Sequence, residues 1–457
     1  MTLAKRFRGE IINGDAIQTY KGLPIATNKI SQDEMHGVPH HLLGCVGQEE
    51  EPWNVGKFAA ESKRVMDEIR ARGRIPILVG GTQYYIQSLI FKESVLEKTA
   101  DHSSREELEE RWPVLRARAE DMLDELRKVD PEMARRWHPK ESRKIRRSLE
   151  IWLRTGRKAS AIYEEQRLER SALAPAASLL EFDRVEKGLP TRKTPSQAEH
   201  SVLSFDTLIF WVYADIDALK MRLDDRVNRM VDEGLLAEVE SMRCLNRQLK
   251  TEGKDIDTGR GIWVAIGYKE FEDYLSASAG NAGTNHLEML KAKGMEKTKA
   301  ATRQYAKRQS RWIRLKLLPA LRSAGSGNQF FLLDGTHLPN WTTSVEGVAC
   351  SLTESYVAGM PLPLPTTISE VASLKLTAEP GDSREDGGVY ARVCDLCVIT
   401  MMTAKDWDEH MKSRKHKGLL NRAQHCKGRE GRGPPLVERI QDDLEPEFLH
   451  AEENHSG

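Results

Sequence analysis

Residues 75–86 read IPILVGGTQYYI, and this stretch decides the fold class. Ile75 to Val79 form a continuous apolar run of strand length that ends in Gly80-Gly81-Thr82, and a run with helical spacing follows. A strand that ends in glycines at a helix start turns backbone N–H groups outward, where they can bind an anion. The Thr82 hydroxyl would add a neutral donor. A plain β–α turn, in which the glycines only satisfy unusual backbone angles, explains the same pattern.

A second strand and turn come earlier in the chain. Residues 10–13, EIIN, predict a short buried strand that ends at Gly14-Asp15. Repeated strand–turn–helix units indicate a parallel α/β layer, and sites in such layers lie at the carboxyl ends of the strands. Asp15 is therefore a candidate general base or metal-binding carboxylate, although a helix N-cap is the commoner role for an aspartate at such a turn.

The pattern changes several times along the chain. Helical spacing dominates 103–157, residues 158–204 are polar and irregular, and an apolar strand at about 205–212 returns to the sheet. We predict a catalytic core in two parts, at 1–102 and 205–345. A helical insertion at 103–157 and a variable insertion at 158–204 lie between these parts. A linker at 361–388, a small C-terminal module at 389–425 and a tail at 426–457 follow.

The bulk composition excludes few classes of function. Lysine plus arginine and aspartate plus glutamate both number 69, so the net charge indicates no partner. Six cysteines in 457 residues do not form a disulfide framework, and neither a secretory signal nor an apolar run of membrane length is present. We expect an intracellular, reducing location, the cytoplasm with the mitochondrion and nucleus as further destinations, and no membrane partner.

Basic residues cluster locally. Arg222, Arg226 and Arg229 form one helical stripe, which usually means a solvated face. Between Lys299 and Arg322 no acidic residue interrupts the basic ones, so a comb of Arg303, Lys307, Arg311 and Arg314 on one helix face could track phosphates. Tyr305 and Trp312 lie on other faces and are expected in the core. A second basic group around 135–147 suits a nucleic-acid surface, or simple solvation.

The C-terminal segment carries the most specific spacing. Cys394-x2-Cys397-x12-His410-x5-His416 matches a ββα zinc finger with tetrahedral Cys2His2 ligation. One finger offers a small interface, so either a general nucleic-acid contact or a protein contact remains open.

Together these segments resemble the tRNA dimethylallyltransferases (tRNA isopentenyltransferases) in their eukaryotic form with an appended zinc finger. The resemblance covers most of residues 3–317 and the finger. The matching stretches follow the family's order and read GEIINGDAIQTYKGLPIATNKI, GVPHHLLG, RGRIPILVGGTQYYIQSL, VDPEMARRWHPKESRKIRRSLEIWLRTGR, RLDDRVNRMVDEGLLAEV, GIWVAIGYKEF and TRQYAKRQSRWIR.

The resemblance implies transfer of a dimethylallyl group from its diphosphate to N6 of the adenosine on the 3′ side of a tRNA anticodon. It implies Asp15 as general base, with Arg226 and Thr82 as the other catalytic residues. The donor and its diphosphate would be bound by Gly80, Gly81, Thr27 and Arg222. The residues it implies in tRNA binding are Ala16, Ile17, Gln18, Arg143, Lys144, Arg146, Arg147, Trp263, Gly267, Tyr268 and Lys269. The basic comb adds Arg303, Lys307 and Arg311 as candidate tRNA contacts.

The resemblance also implies a catalytic Mg²⁺, a zinc ion in the finger, an anticodon stem-loop as partner and a monomeric enzyme. The chain departs from the family in one respect, because no Gly-x-x-x-x-Gly-Lys-Ser/Thr loop occurs in the 457 residues. We therefore expect a P-loop-NTPase-like parallel α/β core that lacks its first strand and P-loop, with a helical insertion domain and a Cys2His2 finger, from an N-terminally shortened sequence.

Two other functions remain open. A non-catalytic tRNA- or nucleic-acid-binding protein would keep the basic surfaces and the finger but would not transfer a prenyl group. An ATP-using P-loop kinase fits less well, because the chain has no nucleotide-binding loop.

Overall fold

The structure is a computed structural model. The structure describes residues 1–91, 105–139, 141–165, 168, 203–254, 257–280, 283–378, 392–394, 397, 399–401, 404–414, 416–418 and 420. The predicted tail at 426–457 lies outside these residues, as do most of the predicted insertion at 158–204 and the end of the predicted linker.

Helices and strands alternate through the first part of the chain. The strands are β1 Gly9–Asn13, β2 His40–His41, β3 Ile75–Val79, β4 Ile209–Tyr213, β5 Phe330–Asp334, β6 Arg392–Cys394 and β7 Ile399–Met401. The helices are α1 Thr2–Arg6, α2 Pro24–Thr27, α3 Val55–Ala71, α4 Gln83–Ile90, α5 Arg105–Arg111, α6 Ala119–Val129, α7 Pro131–Arg136, α8 Ser142–Thr155, α9 Ile216–Asp232, α10 Leu235–Thr251, α11 Glu272–Ala279, α12 Thr284–Trp312, α13 Leu318–Ser323, α14 Val348–Val357, α15 Glu370–Thr377 and α16 Ala404–Lys412.

The predicted parallel sheet is present in two pieces. One has the strand order β2-β1-β3 and the other pairs β4 with β5, and both are parallel throughout. Almost every residue of β1 and β5 is buried, as expected for strands covered on both faces. Within the described residues, β3 and β4 each pair along one edge only. The α/β class with a parallel sheet is therefore confirmed.

Helix α3 shows how the local sequence builds the layer. Its N-cap is Asn54, whose side chain accepts a 2.8 Å hydrogen bond from the backbone N–H of Lys57. Phe58, Val65 and Ile69 recur at helical spacing on its inner face and pack in one cluster with residues of β1 and α4. The helix therefore covers one face of the β1–β3 layer.

The chain divides into two compact units. The first comprises 1–110 and 151–386, and the second comprises 111–150 and 387–457. The region predicted as a helical insertion does contain α5 to α8, but its ends belong to the first unit. In the second unit α6 and α7 are joined at Asp130, whose carboxylate accepts a 3.0 Å hydrogen bond from the N–H of Met133 and so caps α7.

The predicted linker at 361–388 needs a correction. Residues 370–377 form α15, and its Ala372 and Leu376 are buried in the cluster that contains Trp211 of β4 and Phe330 of β5. The abundance of Pro, Thr and Ser predicted a linker, but burial of two apolar side chains at i, i+4 makes this segment part of the core.

No helix in the part of the chain that the structure describes combines the length and the apolar character needed to cross a membrane.

Candidate active site

The turn after β1 holds Asp15 in a fixed orientation. Asn13 braces the turn, because its Oδ1 accepts a 2.9 Å bond from the N–H of Asp15 and its Nδ2 donates to the carbonyl of Asp15 at 2.9 Å. Asp15 Oδ1 in turn accepts from the N–H of Ile17 at 2.9 Å. Asp15 therefore does cap a short turn, as the commoner interpretation expects, but with only one of its two oxygens.

The turn after β3 lies against the first one. Thr82 Oγ1 accepts a 2.9 Å hydrogen bond from the N–H of Ala16, and the N–H of Thr82 donates to the carbonyl of Gly14 at 3.3 Å. A Cβ at Gly80 would lie 2.2 Å from the carbonyl carbon of Gly14, so only glycine allows this approach. The two predicted turns therefore meet at the carboxyl ends of adjacent parallel strands.

Glycine at position 81 leaves room beside the other oxygen of Asp15. The Cβ of any larger residue would lie 3.9 Å from Asp15 Oδ2 and only 2.1 Å from Nε2 of Gln309. The absence of a side chain here keeps Oδ2 open to a substrate atom, while Oδ1 is occupied by the turn.

Helix α9 supplies the cationic group of the site. Burial lowers the pKa of the Arg226 guanidinium, the charge of Arg229 lowers it further, and the charge of Asp15 raises it. Nε of Arg226 is inaccessible to solvent and has no hydrogen-bond partner within the described residues. Arg226 is thus a half-buried cation with a vacant, solvent-inaccessible donor, so the predicted solvated face does not hold at this position.

Arg222 has a different environment on the same helix. Its guanidinium donates to the carbonyl of Gly335 at 2.8 Å and also to the carbonyl of Thr336. These bonds tie α9 to the turn after β5. Arg226 is therefore the better placed of the two arginines to bind a leaving group, since its donors are less committed.

Two residues of α12 belong to the site and were not recognised from sequence. Gln309 Nε2 donates to the carbonyl of Gly81 at 2.9 Å. Burial and the charge of Asp15 raise the pKa of the Tyr305 phenol, while the side chains of Thr82 and Gln309 face its oxygen and favour its ionised form. Their i, i+4 spacing was the available signal, but it is equally typical of an ordinary core stripe.

A cavity of about 1320 Å³ lies between β3 and β4. Its walls include both strands in full, and Gly80, Gly81 and Gln309 border it near the turn after β3. Asp15, Thr82 and Arg226 do not line it, so the cavity adjoins the site rather than containing its charged groups.

The segment after Asp15 folds back on itself. Gln18 Nε2 donates to the carbonyl of Thr27 at 3.0 Å, and the hydroxyl of Thr27 donates to the carbonyl of Leu23 at 2.6 Å. The Ile17 side chain packs against a buried cluster, and Ala16 contributes its N–H to Thr82. The structure thus brings Ala16 and Thr82 together, while the Thr27 hydroxyl is engaged within its own helix.

The predicted tRNA residues at 263–269 differ in exposure. Trp263 is 2% exposed and packs in the core with Tyr20 and Met242, so its side chain cannot contact tRNA, and this prediction is corrected. Gly267 is also buried and has a φ of +101°, which favours glycine. Tyr268 is half-buried, whereas Lys269 is exposed.

The predicted basic comb on α12 is altered by one ion pair. Nη1 of Arg303 lies 2.6 Å from both carboxylate oxygens of Asp224 on α9. The comb appeared free of acids because Asp224 is 79 residues away in sequence. Lys307 and Arg311 are exposed and remain suited to phosphate contact.

The basic group on α8 is also divided. Arg146 pairs with Glu150 at 2.8 Å and donates to the carbonyl of Leu115 at 2.7 Å, so its role is largely structural. Arg147 reaches the same glutamate at 3.3 Å. Arg143 and Lys144 are exposed, and the Lys144 ammonium lies 4.8 Å from the centre of the Trp137 ring.

The Cys/His cluster of the second unit can hold a metal ion. The ligand atoms of Cys394, Cys397, His410 and His416 all lie within 4.8 Å of one another. Nδ1 of His416 lies 3.5 Å from the sulfur of each cysteine. With Zn–S bonds of about 2.3 Å and Zn–N bonds of about 2.0 Å, tetrahedral ligation also separates S from N by about 3.5 Å, so the donor set fits zinc.

Comparison with known proteins agrees with this arrangement. A family model described as "IPP transferase" matches residues 18–316. The "tRNA dimethylallyltransferase" of Schizosaccharomyces pombe is 34% identical over 437 residues, which cover 92% of this chain and 91% of that protein. Those of Saccharomyces cerevisiae and Homo sapiens are 30% and 29% identical, over 92% of this chain and 88% and 82% of their own lengths.

A solved structure is also similar over nearly the whole chain. It is described as "Crystallographic snapshots of eukaryotic dimethylallyltransferase acting on tRNA" and is 28% identical, with a TM-score of 0.65 and coverage of 96% of this chain and 95% of that one. The family model spans more than half of the chain, and the yeast relatives align along most of it. The chain therefore belongs to the IPP transferase family.

Proposed function

We infer that this chain is a tRNA dimethylallyltransferase, which moves a dimethylallyl group from dimethylallyl diphosphate to N6 of the adenosine on the 3′ side of the anticodon. The names of the relatives and the family model support the reaction. The observation that carries it is the meeting of two strand-end turns, joined by the Thr82–Ala16 bond, around Asp15 and within the electrostatic reach of Arg226.

The chemistry requires a cation to form on the donor. The lone pair of the adenine amino nitrogen is delocalised into the ring, so N6 is a poor nucleophile. Breaking the C–O bond of the donor gives an allylic cation and a diphosphate, and N6 then forms the new C–N bond. The N6 proton leaves to a base, and the diphosphate departs with the electron pair of the broken bond.

Asp15 is suited to receive that proton. Its Oδ1 is held by the N–H of Ile17, which fixes the carboxylate in the turn. Its Oδ2 lies beside Gly81, where no side chain intervenes. A general base needs an available lone pair and a fixed orientation. In Asp15, Oδ2 supplies the lone pair and the bond to Oδ1 fixes the orientation.

Arg226 is suited to stabilise the departing diphosphate. Its guanidinium is largely desolvated, so its attraction to a developing negative charge is stronger than that of a surface arginine. The vacant Nε donor can bond a phosphate oxygen. Arg222 would act indirectly, by holding α9 through its bonds to the turn after β5.

We propose that the Cys/His cluster binds zinc and folds the finger. Zinc would be held by Cys394, Cys397, His410 and His416 and would supply structural rather than chemical stabilisation. Among the described residues, the Cys/His cluster is the only group of three or more His, Cys, Asp or Glu side chains close enough to share one ion. A Mg²⁺ ion at the proposed active site therefore rests on the resemblance alone. Mg²⁺ would take most of its ligands from the diphosphate and water, and the steps above do not depend on it.

We also propose that the core accommodates one more strand between β3 and β4, where the resemblance implies the P-loop strand. The carbonyl of Tyr213 accepts a 2.8 Å bond from Gly335 on the β5 side. The backbone N–H and C=O groups of successive strand residues alternate in direction, so the backbone groups of Phe210 and Val212 point away from β5 and into the cavity. On β3, the carbonyl of Val79 accepts a 2.7 Å bond from the N–H of Gly14, on the β1 side. The backbone polar groups of the preceding residue, Leu78, therefore point the other way, into the cavity.

The exposure of the two strands supports this extra strand. Val79 and Val212 are 53% and 52% exposed although both belong to apolar strands. A peptide with an apolar strand followed by Gly-x-x-x-x-Gly-Lys-Ser, the loop that the resemblance implies, should bind the purified chain and raise its transferase activity. A scrambled peptide is the control. Equal effects of both peptides, or tight binding unaffected by Val212→Lys, would contradict the proposal.

Exposed basic residues of each unit are the proposed tRNA contacts. They are Lys269, Lys307 and Arg311 in the first unit and Arg143 and Lys144 in the second. Each phosphate contact that is removed should reduce the slope of log affinity against log salt concentration by roughly 0.7 to 0.9. The anticodon stem-loop is the expected ligand, because the target base must leave its stack to reach Asp15.

Transfer of labelled dimethylallyl groups onto tRNA tests the function directly. The purified chain, with tRNA and the labelled diphosphate, should modify an adenosine beside the anticodon, and Asp15→Asn should not. A chain that binds tRNA with steep salt dependence but transfers no label, even with the strand peptide present, would instead support a non-catalytic binding protein.

A further inference from the structure

Helix α12 contacts both halves of the site. On one side, Gln309 donates to the carbonyl of Gly81 at 2.9 Å. One turn further along, Trp312 Nε1 donates to Oε1 of Gln87 on α4 at 3.0 Å. Residues 309 and 312 are three positions apart and lie on the same helix face, so α12 grips the Gly-Gly-Thr turn and the helix that follows it.

The other contact of α12 is with the helix that carries Arg226. Arg303 lies 2.6 Å from both oxygens of Asp224, two residues before Arg226. The side chains are 29% and 33% exposed, so the pair is better shielded from solvent than a surface ion pair. A single nitrogen, Nη1, makes both contacts, so the charge of Arg303 lies directly against the Asp224 carboxylate.

We propose that α12 is the positioning element of the site, in which Gln309 holds the Gly80–Thr82 turn beside Asp15 and Arg303 holds the helix bearing Arg226. This inference rests on the proposed transferase function. Asp15 must contact the N6 amino group on one side of the reacting carbon, while Arg226 contacts the diphosphate on the other side. A single helix that binds both elements fixes their separation, and small errors in such a separation are costly.

The simpler alternatives explain less. If Gln309 only filled space, its amide would not need to meet the Gly81 carbonyl, yet its Nε2 donates to that oxygen and lies 2.1 Å from where a Cβ at residue 81 would be. The Arg303 guanidinium is engaged by Asp224 within the protein. Asp15 also raises the pKa of Tyr305, which places this face of α12 near the proposed base.

Substitution of Gln309 tests the first contact. Gln309→Ala removes the donor, and Gln309→Glu keeps the shape but places a carboxylate beside the Gly81 carbonyl. Both should lower kcat by about 10- to 100-fold with little change in the KM for tRNA, the pattern of a misplaced catalytic group. Gln304→Ala, at an exposed position on the same helix, is the matched control and should leave kcat unchanged.

Charge reversal tests the second contact. Arg303→Asp should lower kcat by a similar factor, and the double variant Arg303→Asp with Asp224→Arg should recover most of it, because the pair is restored in the opposite sense. A tRNA-contact role predicts instead a weaker tRNA affinity that the double variant does not restore. That result would overturn the proposal for Arg303.

Hydrogen exchange separates this inference from the proposed function. Gln309→Ala should speed amide exchange in the peptide that contains residues 80–86, while Gln304→Ala should not. If the wild type transfers no label yet exchange changes as expected, the function fails and the structural contact stands. If the wild type transfers label and Gln309→Ala matches Gln304→Ala in kcat and exchange, the inference is overturned.

Discussion

The hydroxyl of Thr82 accepts a 2.9 Å hydrogen bond from the backbone N–H of Ala16. The bond joins residues 66 positions apart and ties the turn after β3 to the turn that presents Asp15. Thr82 is the N-cap of α4, but its side chain makes no capping bond there. The hydroxyl therefore stabilises the geometry of the site rather than the end of its own helix.

Asp15→Asn should nearly abolish turnover and leave tRNA affinity similar. Asparagine keeps the shape and can still accept the bond from Ile17, but its amide cannot take the N6 proton. Loss of a general base lowers rates by about 100- to 10,000-fold. Single-turnover transfer and tRNA binding, measured on the same preparation, check this. A parallel loss of tRNA binding would indicate that Asp15 is structural.

Thr82→Val should lower both kcat and stability, because the partly buried N–H of Ala16 would lose its acceptor. An unsatisfied donor of this kind costs about 1 to 3 kcal/mol. Thr82→Ser retains the hydroxyl and should remain close to wild type in both measurements. Thermal melting and transfer kinetics are the readouts. Wild-type kcat and stability in Thr82→Val would show that the hydroxyl bond to Ala16 does not hold the turn.

The sequence predicted the local parts of this molecule well. Asp15 and Thr82 stood out because each follows a predicted strand, and the Cys/His cluster because Cys394 to His416 carry a metal-ligand spacing within 23 residues. The Gln309–Gly81 contact spans 228 residues and the Arg303–Asp224 pair spans 79. No periodicity encodes such partners.

Burial explains the remaining errors. Trp263 lies in a segment expected to bind tRNA, but its ring fills the core beside Tyr20. The segment containing α15 has the composition of a linker, yet Leu376 packs against the sheet. Composition and motif matching do not show which face of a short element is covered, because that depends on packing with distant strands.

Gly81→Ala should lower kcat through Gln309. The added methyl would lie 2.1 Å from Nε2, so the glutamine side chain must move and lose its bond to the Gly81 carbonyl. Combined with Gln309→Ala, the substitution should cost little more than Gln309→Ala alone. Gly283→Ala, with an ordinary φ of −63° and open space around its Cβ, is the control. Additive losses would mean that Gly81 acts independently of Gln309.

Cys397→Ser should unfold the finger and spare the chemistry. Removing a zinc ligand from a small module removes most of its folding free energy. We expect loss of bound zinc and weaker tRNA binding, with kcat at saturating tRNA little changed, since the proposed catalytic residues Asp15, Thr82 and Arg226 belong to the other unit. Cys244→Ser, at an exposed cysteine outside the cluster, is the control. Unchanged tRNA affinity would assign the finger to another partner.

Glu10 links stability to pH at the base of the layer. This buried carboxylate on β1 is bonded by Arg72 at 2.7 Å and by His41 at 2.6 Å, and the bond from Arg72 is the main cause that lowers its pKa from 4.5 to about 2. A carboxyl group whose pKa is depressed in the folded state stabilises the protein above its unfolded pKa. That contribution is lost as the pH falls from about 4.5 towards 2.

Glu10→Gln should therefore lower the melting temperature most at neutral pH. Hydrogen bonds to charged groups contribute about 1.5 to 3 kcal/mol, and the exposure of Arg72 places the expected loss near the lower end of that range. The difference from wild type should shrink between pH 4.5 and 2, because the wild-type carboxylate also becomes neutral there. Glu68→Gln, at an exposed position on α3, is the control. A difference that stays constant with pH would show that Glu10 stabilises the layer through shape rather than charge.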